Sequence, residues 1–482
     1  MPMHNIEIAE IPAGRLTDVI GQERYDALHE AARATREALD GHRVWNINAT
    51  AQGGGVAEML PVLLGYVRAA GIDARWLVLD GEPPFFAVTK RLHNLLHGEP
   101  GDGKGLGVAD HGAFEAVTKS NFNDVKDLIQ PGDVVIVHDP QPAGMLPLLR
   151  EHGAIVVWRS HIGRDEPNQY TDLGWNFLQP YLEHAEKVIV TRPTYAPPGT
   201  PKDKLVFIAP SVDPFSPKNA QIPADDVAAV LAHVGILEGQ AQSHDSPALE
   251  YHRPDGRRGL VRRLRNVVLD GGPLPQNVPV VLQVSRWDRL KDMGGVMKAF
   301  TDYSDADQHD AHLVLCGPAV EAVSDDPEGA EVLAECRALW HTLAPAMQAR
   351  VHLVCVPMDD TDENAHIVNA LQRYAQIVVQ KSLREGFGLT VTEAMWKGRP
   401  VVASKIGGIQ DQIGHDREGL LLPDPADLHR LGALLADLLK APEKAEQLGA
   451  AAKQKVIQEF LGDRHLRQYA DLITSLIKAR AD

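Results

Sequence analysis

A chain of 482 residues, 44% hydrophobic and with a formal charge of −17, is long enough to bury a large core in two domains. The acidic balance disfavours extended binding to nucleic acid or to an acidic membrane, although a nucleotide needs only a local cationic pocket. No apolar run reaches membrane-spanning length, and the opening MPMHNIEIAEIPAG lacks the basic and apolar regions of a secretion signal. Cys316, Cys336 and Cys355 have no metal-site spacing, a usage that fits a reducing, cytoplasmic setting.

In chain order, short apolar strands are predicted at 44–47, 76–79, 134–137, 154–158, 188–190 and 206–208, with a helix over about 56–68. The pattern weakens over 214–278, a polar stretch that becomes basic at Arg257, Arg258, Arg262, Arg263 and Arg265. That run reads as a solvated excursion, or as a surface for an anion or a second copy of the chain. Strands resume at 280–284, 313–316, 351–354, 377–379 and 401–403, and the tail is helical. Short buried strands alternating with helices predict parallel sheets covered on both faces, in two α/β domains that collect ligands at strand-end crevices.

Three segments carry chemistry. NINATAQGGGVAEML ends a strand and opens a helix, and Gly53, Gly54 and Gly55 permit either a tight turn or close approach of a phosphate or sugar. It does not match the G-x-G-x-x-G dinucleotide pattern. In VVLQVSRWDRLKDMGG, Arg286 and Lys291 follow a strand and can stabilise a diphosphate, or can pair with neighbouring acids on the surface. In EGFGLTVTEAMWKG, Thr390-x-x-Glu393 reads as a capping box at a helix start near Thr390, which gives Glu393 a structural role. If Glu393 instead binds ligand, it should face neutral hydroxyls such as ribose and leave the phosphates to the amides of Leu389 and Thr390. Asp305-x-Asp307 reads as a solvated turn.

Taken together, GGGVAE, ARWLVLDG, FFAVTKRLHN, VHDPQPAG, WRSHI with a following PN, SRWDRLKD and SLREGFGLTVTEAMWKG carry a specific resemblance. The set resembles the retaining glycosyltransferases of the GT-B class, family 4, across most of 44–460. Within that group it is similar to the glucosyltransferring trehalose synthases and to the related retaining trehalose phosphorylases. The resemblance implies an α/β GT-B fold, two Rossmann-like domains with parallel sheets facing across a cleft. It implies an acceptor-side domain at 1–213, a linker and insertion at 214–278, a nucleotide-sugar domain at 279–460, and a final helix at 461–482 packing back on the first domain.

Residue by residue, the resemblance makes Arg286 and Lys291 the diphosphate cations and turns Glu385 toward the donor sugar. Leu389 and Thr390 become loop amides at the diphosphate, Glu393 the ribose ligand, and Gly54 and Gly55 the glycine loop near donor phosphate and sugar. His161 lies near the transferring glucose and Asp139 on the acceptor side, although a strand-end histidine and an Asx turn are ordinary structural alternatives for these two. The region of Phe85, Phe86, His93 and Asn94 falls near the acceptor pocket. The implied reaction makes trehalose from a nucleoside diphosphate glucose (UDP-glucose or ADP-glucose) and glucose, with no obligatory metal or other cofactor. The alternatives are a trehalose phosphorylase, a family 4 transferase with another acceptor, or a noncatalytic sugar or nucleotide sensor. Partners are a nucleotide-sugar and glucose or a related acceptor, without nucleic acid or membrane, and a homo-oligomer is compatible with the sequence. Three departures bear on the acceptor: Gly163 replaces an expected acid, Asp80 replaces a longer one, and Asp292 stands where glycine is common.

Overall fold

The computed structural model describes residues 3–51, 55–304, 309–320 and 327–481. Gly53, Gly54, Asp305 and Asp307 lie outside the described residues. Two compact units divide the chain, Met1–Ser211 with Phe460–Asp482, and Val212–Glu459.

The first unit contains β1 (His4–Ile6), β2 (Val44–Asn48), β3 (Ala74–Val78), β4 (Val134–His138), β5 (Ile155–Arg159), β6 (Lys187–Val190) and β7 (Leu205–Phe207). Their order is β1-β3-β2-β4-β5-β6-β7, with β1 antiparallel to β3 and every other pairing parallel. Both faces are covered, which is why these strands read as unbroken apolar runs. Trp45, Val135, Val137, Val156 and Trp158 face a core shared with Phe85, Phe114 and Phe177. Their alternating neighbours Val44, Val134, Ile136, Ile155 and Val157 face a second core with Leu472, Ile473 and Leu476.

Those last three residues belong to the final helix, Gly462–Ala481, which packs on the helix Gln22–Leu39. Arg24 grips Asp463 through two bonds of 2.9 and 2.8 Å, and the Thr35 and Thr474 hydroxyls meet at 3.1 Å.

The second unit contains β8 (Glu250–His252), β9 (Arg258–Leu260), β10 (Val268–Asp270), β11 (Val280–Val284), β12 (His312–Pro318), β13 (Val351–Val356), β14 (Ile377–Gln380), β15 (Val401–Ser404) and β16 (Leu420–Leu422). Its main sheet has the order β10-β13-β12-β11-β14-β15-β16, parallel apart from β10, while β8 and β9 form a separate hairpin.

Much of the stretch 214–278 is built into this unit, as the helix Ala224–His233, the β8–β9 hairpin and the edge strand β10. Its arginines turn largely to nearby acids: Arg257 pairs with Asp255 at 2.6 Å and Arg258 with Glu250 at 3.4 Å. Arg262 donates from Nε to Glu363 at 2.8 Å, and Arg253 donates to Asp360 at 2.9 Å. Among the described residues no helix is long and apolar enough to cross a membrane.

Candidate functional site

In each sheet the candidate residues leave the carboxyl ends of parallel strands. Asp139 follows β4, His161 follows β5, Arg286 follows β11 and Glu385 follows β14, the position where open α/β sheets place ligands.

In the second unit the loops after β11 and β14 are bound into one piece. Gln283 is fully buried in β11; its amide donates to the Lys291 carbonyl at 2.7 Å, and its Oε1 accepts from the Lys381 N–H at 3.1 Å. The Leu383 N–H donates to the Leu290 carbonyl at 2.7 Å. Across this junction Lys291 Nζ meets Glu385 Oε2 at 2.6 Å, and the Ser382 hydroxyl donates to the same oxygen at 3.2 Å. The two charged side chains are only 17% and 13% exposed, so little water competes for the pair. Arg286 stands differently, 66% exposed and held at 3.1 Å to Asp288.

Asp292 adopts the left-handed φ of 46°, which explains why glycine suits this position. Its carboxylate compensates by capping the helix Met293–Tyr303 through the Gly295 N–H at 3.0 Å and by pairing with Lys381.

The helix after Glu385 spans Leu389–Trp396 with Gly388 as its N-cap, at φ 84°. The helix thus starts near Thr390 as expected, one residue earlier, but the Thr390–Glu393 capping box is corrected: the N-cap is Gly388, and no side chain caps it. Thr390 already lies in the first turn, and its hydroxyl donates to Gln380 at 3.0 Å. Leu389 and Thr390 occupy positions whose N–H groups have no carbonyl four residues earlier in the helix. Glu393 falls a turn deeper, 4% exposed, with Lys218 Nζ 3.6 Å from Oε1.

Sequence reading missed this neighbour. The segment around Lys218 and Asn219 docks on the helix, with Trp396 donating to the Asn219 carbonyl at 2.9 Å and Lys397 to its side chain at 3.1 Å. Burial holds the Lys397 ammonium well below its ordinary range.

In the first unit Asp139 takes a left-handed φ of 65°. Its Oδ1 accepts from the His161 N–H at 2.7 Å, and its own N–H donates to the Arg159 carbonyl at 2.7 Å. Burial pushes the carboxyl up to about 7, opposed by the His161 N–H bond and the Arg159 charge.

The His161 ring lies over His138, with Nε2 and Nδ1 3.1 Å apart, and His138 Nε2 lies 2.9 Å from Asn46 Oδ1. Burial, assisted by Arg159, holds His161 well below the ordinary imidazole range and His138 down to about 3. Both rings are therefore neutral donor–acceptor groups at physiological pH. His138 and Gln283 are polar residues inside apolar strand runs, a signal present in VVIVH and VVLQV.

Gly163 is explained by packing, because a Cβ there would lie 2.0 Å from the Tyr195 ring. Gly55 opens the helix Gly55–Ala69. Phe85 is a core residue, 2% exposed and stacked on Phe114 at 5.9 Å.

Two sheets of Rossmann type, each with polar and charged side chains at its strand exits, are the α/β architecture of the GT-B class of glycosyltransferases. Residues 46–197 match the family described as "Trehalose synthase, N-terminal domain", and residues 270–455 match "Glycosyl transferases group 1". A trehalose synthase of Rubrobacter xylanophilus is 34% identical, over 95% of each chain, and one of Pyrococcus horikoshii is 31% identical, over 98% of this chain and 99% of its own. The chain belongs to the trehalose synthase family. Among solved structures, the sucrose-phosphate synthase of Thermosynechococcus elongatus has the same fold, with a TM-score of 0.64 at 19% identity, covering 91% of this chain and all of that one.

Proposed function

We propose that the protein is a family 4 retaining glucosyltransferase that makes trehalose from a nucleoside diphosphate glucose and glucose. The observation that carries this reading is the Lys291–Glu385 pair, 2.6 Å long and mostly shielded, at the joined exits of two central strands. In the proposed complex Lys291 turns part of its charge toward the diphosphate, and Arg286 swings from Asp288 to clamp it. Leu389 and Thr390 offer amides to the same group, and the Gly54–Gly55 loop approaches donor phosphate and sugar. Together these donors stabilise the negative charge that develops on the leaving group.

Glu385 orients donor hydroxyls and forms no covalent bond to glucose. The acceptor hydroxyl attacks the anomeric carbon from the face the diphosphate leaves, and a diphosphate oxygen takes its proton. The new bond therefore keeps the donor configuration. Neutral His161 donates to a sugar hydroxyl, oriented by His138, while Asp139 fixes the His161 backbone and serves the acceptor side. Glu393, turned from Lys218, accepts from the ribose. No metal has a part in these steps, and the reading sets the protein in the cytoplasm.

The test is a donor-by-acceptor screen with UDP-glucose, ADP-glucose and a panel of sugars, the product linkage assigned by NMR. Glucose-dependent release of UDP or ADP with formation of trehalose is expected. Inert nucleotide sugars together with phosphate-dependent trehalose cleavage would overturn the proposal in favour of a phosphorylase.

A further inference from the structure

The first unit contains a partly open cavity of about 640 Å³ between the helices Gln22–Leu39, Gly55–Ala69 and Gly462–Ala481 and the strands β2 and β4. Most of its wall is apolar, with Leu28, Leu63, Leu64, Ile136 and Ile473 among the lining residues. A volume of this size falls within the range of small-molecule sites, ~300–1,000 Å³. One end is polar, formed by Asn46, His138, His465 and Tyr469.

That end is short of hydrogen-bond partners. Asn46 is 3% exposed, and its Oδ1 lies 2.9 Å from His138 while Nδ2 has no partner among the described residues. His465 is fully buried, with Nδ1 2.8 Å from the Ser211 hydroxyl and Nε2 without a partner among the described residues. Arg159 is also fully buried; its guanidinium reaches the Tyr469 hydroxyl, and no carboxylate pairs with it among the described residues.

Strand alternation puts Arg159 on the same face of the sheet as Ile155 and Val157, the face the final helix covers. Its charge acts on His138, His465 and Tyr469, all of which line the cavity. Asp139 also feels that charge, yet its carboxylate bond runs to the His161 N–H. A buried cation with no anionic partner and a buried amide with no acceptor are both costly, and an acceptor would relieve each of them.

We infer that this cavity is a binding site for an anionic amphiphile, a carboxylate-headed molecule with an apolar body. The head accepts from Asn46 Nδ2 and His465 Nε2 in the positive field of Arg159, and the chain fills the space between Leu28, Leu63 and Ile473. The proposed sugar transfer uses none of this apolar space, although His138, which lines its polar end, is also the residue that orients His161.

The test is calorimetric titration of the full-length protein with sodium decanoate and, in parallel, with 1-decanol at neutral pH. Decanoate is expected to bind one-to-one and at least about tenfold tighter than decanol, the difference being the charge-assisted contacts. In Arg159→Met, which keeps length but not charge, decanoate affinity should fall to that of decanol. Leu63→Trp fills the cavity and should abolish binding of both, with circular dichroism and thermal melts confirming the fold of each variant. The two wild-type titrations decide the matter even if a variant fails to fold. Absence of decanoate binding, or equal affinity for the two probes, would overturn the site.

Discussion

Lys291 and Glu385 present the sharpest residue-scale expectation. Their pair is 2.6 Å long and shielded from water, so each side chain fixes the other's position as well as its charge. Lys291→Met removes one donor to developing negative charge, and kcat should fall roughly 10²–10³-fold. Glu385→Gln keeps the shape while losing the charge and should lower kcat with a native circular dichroism spectrum. Unchanged turnover in either variant would remove these residues from the site.

Asp139 gives a second expectation, through pH. Burial raises its folded value from 3.8 to about 7. Between those limits the native protein keeps a proton that the unfolded chain has released, so stability falls as pH rises from about 4 to 7 and levels off above. His138 and His161 run the other way, because their lowered values cost stability as pH falls below the ordinary imidazole range. Asp139→Asn keeps an oxygen for the His161 N–H and removes only the first effect. Urea denaturation from pH 4 to 8 should therefore show a gap between variant and wild type that widens in the variant's favour up to pH 7. A gap independent of pH would mean that the carboxyl titrates normally.

At the scale of elements, the loop between β14 and its helix depends on one backbone conformation. Gly388 holds φ at 84°, and a Cβ there would stand 3.1 Å from Ile409 Cγ1 and 3.3 Å from Glu385 Cγ. Gly388→Ala should cost about 1–2 kcal/mol in urea denaturation for the left-handed conformation alone, and should raise KM for the nucleotide sugar by displacing Glu385. A wild-type KM would separate the loop from donor binding. The buried neighbours of this loop also mark what could be read from sequence. The eleven strands expected from apolar runs are all present, because parallel strands buried on both faces carry their signal in every residue. The strands β1, β8, β9, β10 and β16 went unread. The first four are three-residue strands in antiparallel pairing, and HNI, EYH, RGL and VLD have no sustained pattern. β16 is parallel and buried, but LLL is too short a run to mark a strand by itself. Likewise, Glu385 and Lys291 were legible in their motifs, while the Gln283 bond to Lys381 spans 98 positions of chain and the segment that brings Lys218 to Glu393 is tied to its helix across 178, separations that no local pattern records.

At the scale of the whole molecule, the chain builds most of the first unit, leaves it at Val212, completes the second unit, and returns at Phe460. The last helix is thus part of the first unit's core, although it follows the second unit in sequence. Leu472, Ile473 and Leu476 close one face of the first sheet, and Asp463, 2% exposed, takes the Arg24 guanidinium. Removing residues 460–482 exposes that face, opens the cavity beneath it and leaves Ser211 without His465. The second unit is one uninterrupted segment, Val212–Glu459, and loses none of its own contacts. Differential scanning calorimetry of a chain ending at Glu459 should therefore show one transition nearly unchanged and another lowered by many degrees or lost. The retained transition should match that of residues 212–459 expressed alone, because a fold with its own core and continuous chain needs no help from the rest. Equal destabilisation of both transitions would mean that the two units unfold as a single cooperative body and that the final helix supports the whole.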